Sequence, residues 1–152
     1  MSDARAKLRE LGLELPPVVA PVAAYVPAVQ AGNLVYVSGQ VPMVDGQLAA
    51  TGKVGDGVSP EQAKDLARRC ALNALAAIDN LVGLERVVKV VKLLGFVASA
   101  EGFTGQPAVV NGASELFGAV FGEAGQHARS AVGVAELPLG APVEVEVIVE
   151  IA

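Results

Sequence analysis

Two rhythms of hydrophobic and polar positions run along the chain. From Ser59 to Gly83, apolar residues recur at helical spacing: Ala63, Leu66, Ala67, Cys70, Ala74, Ile78 and Leu81. That stripe predicts an amphipathic helix. Ser59 suits its N-cap, Pro60 its first helical position, and Gln62 is placed to complete a capping box, while Gly83 marks the end. Val109, Val110, Ala113, Leu116, Phe117, Val120 and Phe121 predict a second helix of the same kind. The second rhythm has a period of two. Near the C-terminus Val143, Val145, Val147 and Val149 alternate with Glu144, Glu146 and Glu150, the signature of a strand with one buried and one polar face. "RVVKVVKLLGFVAS", residues 86–99, is apolar on both alternating faces and rich in β-branched residues. It suits a central strand covered on two sides.

The remaining segments complete an outline. Residues 3–12 predict a short charged helix, followed by an extended connector that Pro16, Pro17 and Pro21 stiffen. The runs "VAAYVPAVQ", residues 22–30, and "NLVYVSGQV", residues 33–41, predict a hairpin about Gly32. "RSAVGVAEL", residues 129–137, and "VEVEVIVEI", residues 143–151, predict a second hairpin closed by "PLGAP". No linker or repeat divides the chain, which points to one domain over residues 1–152, with 1–19 forming the N-terminal helix and connector. The order ββ-α-β-α-ββ predicts an α+β fold in which one sheet carries both helices on a single face.

Composition narrows the chemistry. The chain has 152 residues, 53% hydrophobic but only 4% aromatic, so Val, Leu, Ile and Ala must fill the core. An apolar share this high hints at surface buried against another subunit. The net charge of −5, with no basic run, makes nucleic acid a poor partner, because such binding draws on Lys and Arg neutralising phosphates. A single cysteine, Cys70, and a single histidine, His127, exclude an intrachain disulfide, a multi-cysteine zinc site and the two-histidine metal signatures. Cys70 lies on the apolar stripe and reads as a small buried hydrophobe. The charged, proline-interrupted start resembles neither a secretory signal nor a bilayer span, so a soluble cytoplasmic protein is expected.

Two catalytic motifs fail on inspection. "GQLAATGKV" places five residues between Gly46 and Gly52 and ends on Val54, where a phosphate-binding loop needs four residues and then a hydroxyl after the lysine. Ser38 in "YVSGQ" lacks the preceding glycine of a nucleophile elbow. What remains is Arg129, which shares a strand face with Ala131, Gly133 and Ala135, so that a long cation overlooks small residues. By pattern alone, Arg129 reads more simply as a surface strand cation and the glutamates as a solvated face.

The residues themselves carry a resemblance. "HARSAVGVAELPLGAPVEVEVIVE" resembles the C-terminal signature of the YjgF/RidA family of reactive-intermediate deaminases: Arg-Ser, a short apolar strand ending in Leu-Pro, then alternating Glu and aliphatic residues. "GNLVYVSGQVP" is similar to its N-terminal signature, "AAYVPAV" to its Tyr-containing first strand and "VVNGASELF" to its Val-Asn helix. The matches keep the family's order over about residues 20–151. The resemblance implies a chorismate-mutase-like α+β fold, a mixed β-sheet with two helices packed on one face, assembled as a homotrimer, with clefts between subunits and no cofactor or metal. It also implies hydrolysis of 2-imino acids and their enamine tautomers to 2-keto acids and ammonia. On that analogy Arg129 holds the substrate carboxylate and Glu144 positions the attacking water. Tyr25 and Asn111 line the cleft, Ser38 and Gly39 form part of its wall, and Ala131 lies beside the substrate.

The chemistry such a site needs is modest. A guanidinium can grip a carboxylate through two parallel charge-assisted hydrogen bonds, which lysine cannot do. An imine carbon is already electrophilic, so orientation, a held water and a route for protons suffice. Three positions depart from the family pattern. Ala131 stands where cysteine is common, His127 where proline is common, and Ser114 where the helix often carries an aromatic ring. The N-terminal helix and the longer "SAEGFTGQP" loop are additions to the common core. Three other expectations stand beside deamination: a module that captures a small carboxylate without turnover, an endoribonuclease, and a structural or chaperone-like trimer.

Overall fold

The computed structural model describes residues 3–21 and 23–152. Helix α2 spans Pro60–Val82, and its start is fixed as the sequence predicts: the Ser59 hydroxyl accepts the Gln62 amide N–H at 3.1 Å. Ala63, Leu66, Ala67, Cys70, Ala74 and Ile78 are buried along its apolar stripe. Leu81 departs from the prediction. It is exposed in the last turn, and Leu84, in the short 3₁₀ turn Leu84–Arg86, is the leucine buried there. Helix α3 spans Gln106–Phe121 and buries Val109, Val110, Ala113, Leu116, Phe117 and Val120, with Phe121 partly buried against the same core. The two helices cross closely at Gly112, where a Cβ would stand 1.9 Å from the Lys64 carbonyl oxygen. Helix α1, Ala4–Glu10, lies within the predicted 3–12, and Arg5 ties it to Asp79 and Glu85.

Five strands form one mixed sheet. They are β1 (Ala28–Ala31), β2 (Leu34–Val37), β7 (Val87–Ala98), β8 (Ala128–Val134) and β9 (Val143–Ile151), in the order β1-β2-β9-β7-β8. The intervening β3 (Met43–Val44), β4 (Gln47–Leu48), β5 (Lys53–Val54) and β6 (Gly57–Val58) are two-residue ribbons on the way to α2. The α+β class and the mixed sheet match the sequence-based expectation, and the valines of β9 alternate buried as predicted.

β1 and β2 form the predicted hairpin, while one strand boundary and one pairing differ. The first predicted strand, 22–30, shrinks to β1 at Ala28–Ala31: Val22 lies outside the described residues, and Ala23–Tyr25 form a bend. Pro27, just before β1, lacks the N–H a ladder needs. More consequentially, β8 and β9 are not a hairpin, because β7 runs between them. The long, doubly apolar β7 needs a partner on each edge. β9 takes one edge antiparallel, and β8 takes the other parallel, reached through α3 as the crossover that parallel neighbours require. "PLGAP" therefore carries the chain across the end of β7, where the Ser99 N–H donates to Val134 O and the Ala98 N–H to Pro142 O.

Both helices cover one face of the sheet, and the core lies between them. The other face is open. Val29 and Tyr36 from the β1-β2 hairpin and Val132 from β8 are exposed there, and Leu94, Phe96 and Ile148 are partly so. Part of the chain's apolar composition reaches the surface here.

Candidate active site

Arg129 stands on the helix-covered face of edge strand β8, in register with the buried Leu93 of β7. Helix α3 holds its guanidinium. Nη1 donates to Asn111 Oδ1 at 2.8 Å and to Ser114 Oγ at 3.1 Å, and Nη2 donates to the Pro107 carbonyl at 3.2 Å. Asn111 and Ser114 meet the same group because residues three apart share a helix face. A guanidinium has five N–H donors. Three are committed here, which leaves the Nε hydrogen and one on Nη2 for a ligand.

The hollow expected beside Arg129 is narrower than the small residues imply. Ala131 packs against the core. At Gly133 a Cβ would come within 2.7 Å of Gln106 Nε2, because that amide occupies the space. Gln106 is fixed in turn by Ser99 Oγ at 3.1 Å and the Phe103 carbonyl at 2.8 Å. Gln106 is a neighbour of the candidate site that the motifs do not mark, and Ser114, marked in the sequence only as a departure from the family pattern, is a partner of Arg129. Ser114 was legible as a partner of Asn111, three residues earlier on a predicted helix. The contact with Gln106 depends on the fold of the 99–105 loop, for which the sequence carries no comparable signal.

Glu144 lies elsewhere. The alternation of β9 places it on the open face, in register with Phe96. Its carboxylate rests against the main chain of Gly39, where a Cβ would stand 1.9 Å from Oε1 and displace the carboxylate. Tyr25, Gly39 and Glu144 line one recess together with Pro138 and Leu139. Ser38 supports this wall rather than facing the recess: its hydroxyl donates to Val26 O at 2.6 Å and its amide to Pro27 O at 2.8 Å, which pins the bend carrying Tyr25. Burial raises the Glu144 pKa above its ordinary value, and the neighbouring Glu146 charge adds to the effect. Cys70 is fully buried, its Sγ 3.8 Å from Val143 O, and burial raises its thiol pKa well above the ordinary value. It is no nucleophile in this setting.

Within one chain the candidate residues therefore form two half-sites: a cationic one of Arg129, Asn111 and Ala131, and an anionic one of Glu144, Gly39 and Tyr25. A family model described as Endoribonuclease L-PSP, the YjgF/RidA family, matches residues 17–151. The chain belongs to that family. It is 46% identical over 148 residues to Protein TCP17 of Trypanosoma cruzi, covering 96% of this chain and 92% of that protein. It is 36% identical over 132 residues to a protein of Dermatophagoides farinae named 2-iminobutanoate/2-iminopropanoate deaminase, covering 86% of this chain and 88% of that one. A crystal structure of an Agrobacterium tumefaciens protein of unknown function superposes with a TM-score of 0.91 at 47% identity, covering 98% of this chain and 92% of that one. Among the described residues no cluster could hold a metal, and no helix is long and apolar enough to cross a membrane.

Proposed function

We propose that this YjgF/RidA protein hydrolyses 2-imino acids, and the enamines in equilibrium with them, to 2-keto acids and ammonia. It would work in the cytoplasm as a homotrimer of the chorismate-mutase-like kind, without a cofactor, each chain acting as one unit over residues 1–152. The observation that carries the reading is the state of Arg129: three donors anchored in protein by Asn111, Ser114 and Pro107, and two left for a ligand. The name of the Dermatophagoides farinae relative supports the same substrate class.

A carboxylate on the free edge of Arg129 accepts two charge-assisted hydrogen bonds, each worth about 1.5–3 kcal/mol where solvent is partly excluded. The C=N carbon next to that carboxylate is then fixed in place. Glu144, on the opposite face of the same sheet, cannot reach it within one chain, so the anionic half-site is supplied by a neighbouring protomer docked through the open apolar face. Glu144 accepts a proton from water as its oxygen bonds to the imine carbon. The π pair moves to nitrogen, which takes up that proton from Glu144, giving a carbinolamine. The amino nitrogen then takes a second proton from water, the C–N bond breaks with its pair going to the departing ammonia, and the hydroxyl gives its proton to the Glu144 carboxylate as the ketone forms. A half-buried carboxylate with a raised pKa suits both proton acceptance and return. This favours turnover over simple capture of a carboxylate.

Keto acid release from freshly generated 2-iminobutanoate and 2-iminopropanoate tests the reading. Wild type should accelerate it, and Arg129→Ala should lose at least about a hundredfold in kcat/KM, as expected for two lost charge-assisted bonds. Equal rates for the two proteins would remove the role given to Arg129.

A further inference from the structure

His127 and Ser114, both departures from the family pattern, join Arg129 in one hydrogen-bonded row. His127 Nδ1 lies 2.6 Å from the Gly125 carbonyl oxygen. A carbonyl only accepts, so Nδ1 carries the hydrogen, and Nε2 of the neutral ring is the acceptor. Ser114 Oγ lies 2.9 Å from Nε2 and must donate to it. That fixes the hydroxyl rotor. Its lone pairs turn toward Arg129, whose Nη1 donates at 3.1 Å. Every bond then runs in one direction, from guanidinium to hydroxyl to imidazole to carbonyl, and bonds aligned in this way reinforce one another. Phe117 holds the ring edge-on, with centroids 6.2 Å apart and planes at 90°.

We propose that Ser114, oriented by His127, is a positioning residue for Arg129: the row fixes the rotation of the guanidinium so that its Nε–Nη2 edge is presented to the substrate carboxylate. The proposal rests on the carboxylate-holding role given to Arg129 above. Without the acceptor at His127 the hydroxyl is free to turn to a carbonyl of its own helix, as serines within helices do. Arg129 would then keep Asn111 and the Pro107 carbonyl, but lose the third contact that fixes its plane. A looser guanidinium binds substrate and transition state less well to the same degree, which raises KM and leaves kcat in place.

The test uses the full chain, with the keto acid product 2-oxobutanoate as binding probe and imine hydrolysis as the kinetic readout. Ser114→Ala and His127→Phe, which keeps the ring contact with Phe117, should each weaken binding and raise KM about three- to tenfold, with kcat within about twofold. Because His127 acts through Ser114, the double variant should be no worse than Ser114→Ala alone, and Ser114→Thr should recover most of the affinity. His127→Gln, which retains an acceptor, should stay within about twofold of wild type. Additive losses, or no loss, in proteins where Arg129→Ala still abolishes binding would overturn the positioning role and leave the proposed function standing. If Arg129→Ala binds 2-oxobutanoate as tightly as wild type, the proposed function and this inference fail together.

Discussion

Arg129 and Glu144 stand on opposite faces of one sheet with β7 between them, the first in register with Leu93 and the second with Phe96. No side-chain rotation brings both to one small molecule, because the backbone of the central strand intervenes. If the working site joins Arg129 of one protomer to Glu144 of another, the two defects are complementary. Arg129→Ala and Glu144→Ala should each be inactive alone. When the two are co-expressed or refolded together in equal amounts, random closed trimers should regain activity at about one quarter of their sites, since each site needs one intact partner of each kind. Activity in the mixture no higher than in either parent would sink the two-protomer site.

Replacing Arg129 with lysine tests the fork rather than the charge. Lysine keeps one positive charge but cannot donate two parallel bonds, and it cannot hold Asn111, Ser114 and the Pro107 carbonyl while facing a ligand. Steady-state kinetics should show kcat/KM lower by about ten- to a hundredfold, the value of one charge-assisted hydrogen bond. The loss should fall mainly on KM. A lysine variant with unchanged kcat/KM would show that charge alone suffices.

Much of this arrangement is legible in the sequence, and the exceptions have physical causes. The stripe of α2, its Ser59 cap and the alternation of β9 follow from short-range periodicity, and they appear where predicted. The order of strands does not follow from periodicity. Two apolar strands joined by a five-residue turn read as a hairpin, and only the demand of β7 for partners on both edges separates β8 from β9. The same limit governs the site. Arg129 stands out by type and setting, but its face relative to Glu144 depends on that strand order. Tyr25 was read as part of a strand and lies in a bend, because Pro27 and the Ser38 hydroxyl shape the chain there.

Gly39 admits Glu144 by having no side chain. A Cβ at that position would overlap the carboxylate at 1.9 Å, and main chain cannot retreat as a flexible side chain can. Gly39→Ala should push Glu144 out of its rest against the main chain. We expect kcat to fall about tenfold or more, as befits a misplaced proton-transfer group, with the apparent Kd for 2-oxobutanoate little changed because Arg129 is untouched. A Gly39→Ala enzyme with normal kcat would show that the carboxylate does not work from this position.

Glu144 should also set a pH dependence of stability opposite in sign to that of a paired carboxylate. Burial, with the Glu146 charge second, raises its pKa in the fold, so the folded state favours the protonated form. Its favourable contribution is then complete below the unfolded carboxylate pKa and disappears as pH rises through the higher folded value. Glu144→Gln carries no charge at any pH and escapes that loss. Thermal unfolding of wild type and Glu144→Gln across the acidic to neutral range should find the variant more stable near neutrality, with the gap closing as pH falls into the ordinary carboxylate range. Its kcat should be lower by about a hundredfold or more, the usual contribution of a positioned acid-base group. Stability would rise as activity is lost, the relation expected where a charge is held half-buried for chemistry rather than for folding. A gap that is the same at every pH would show that ionisation of Glu144 is not its cause.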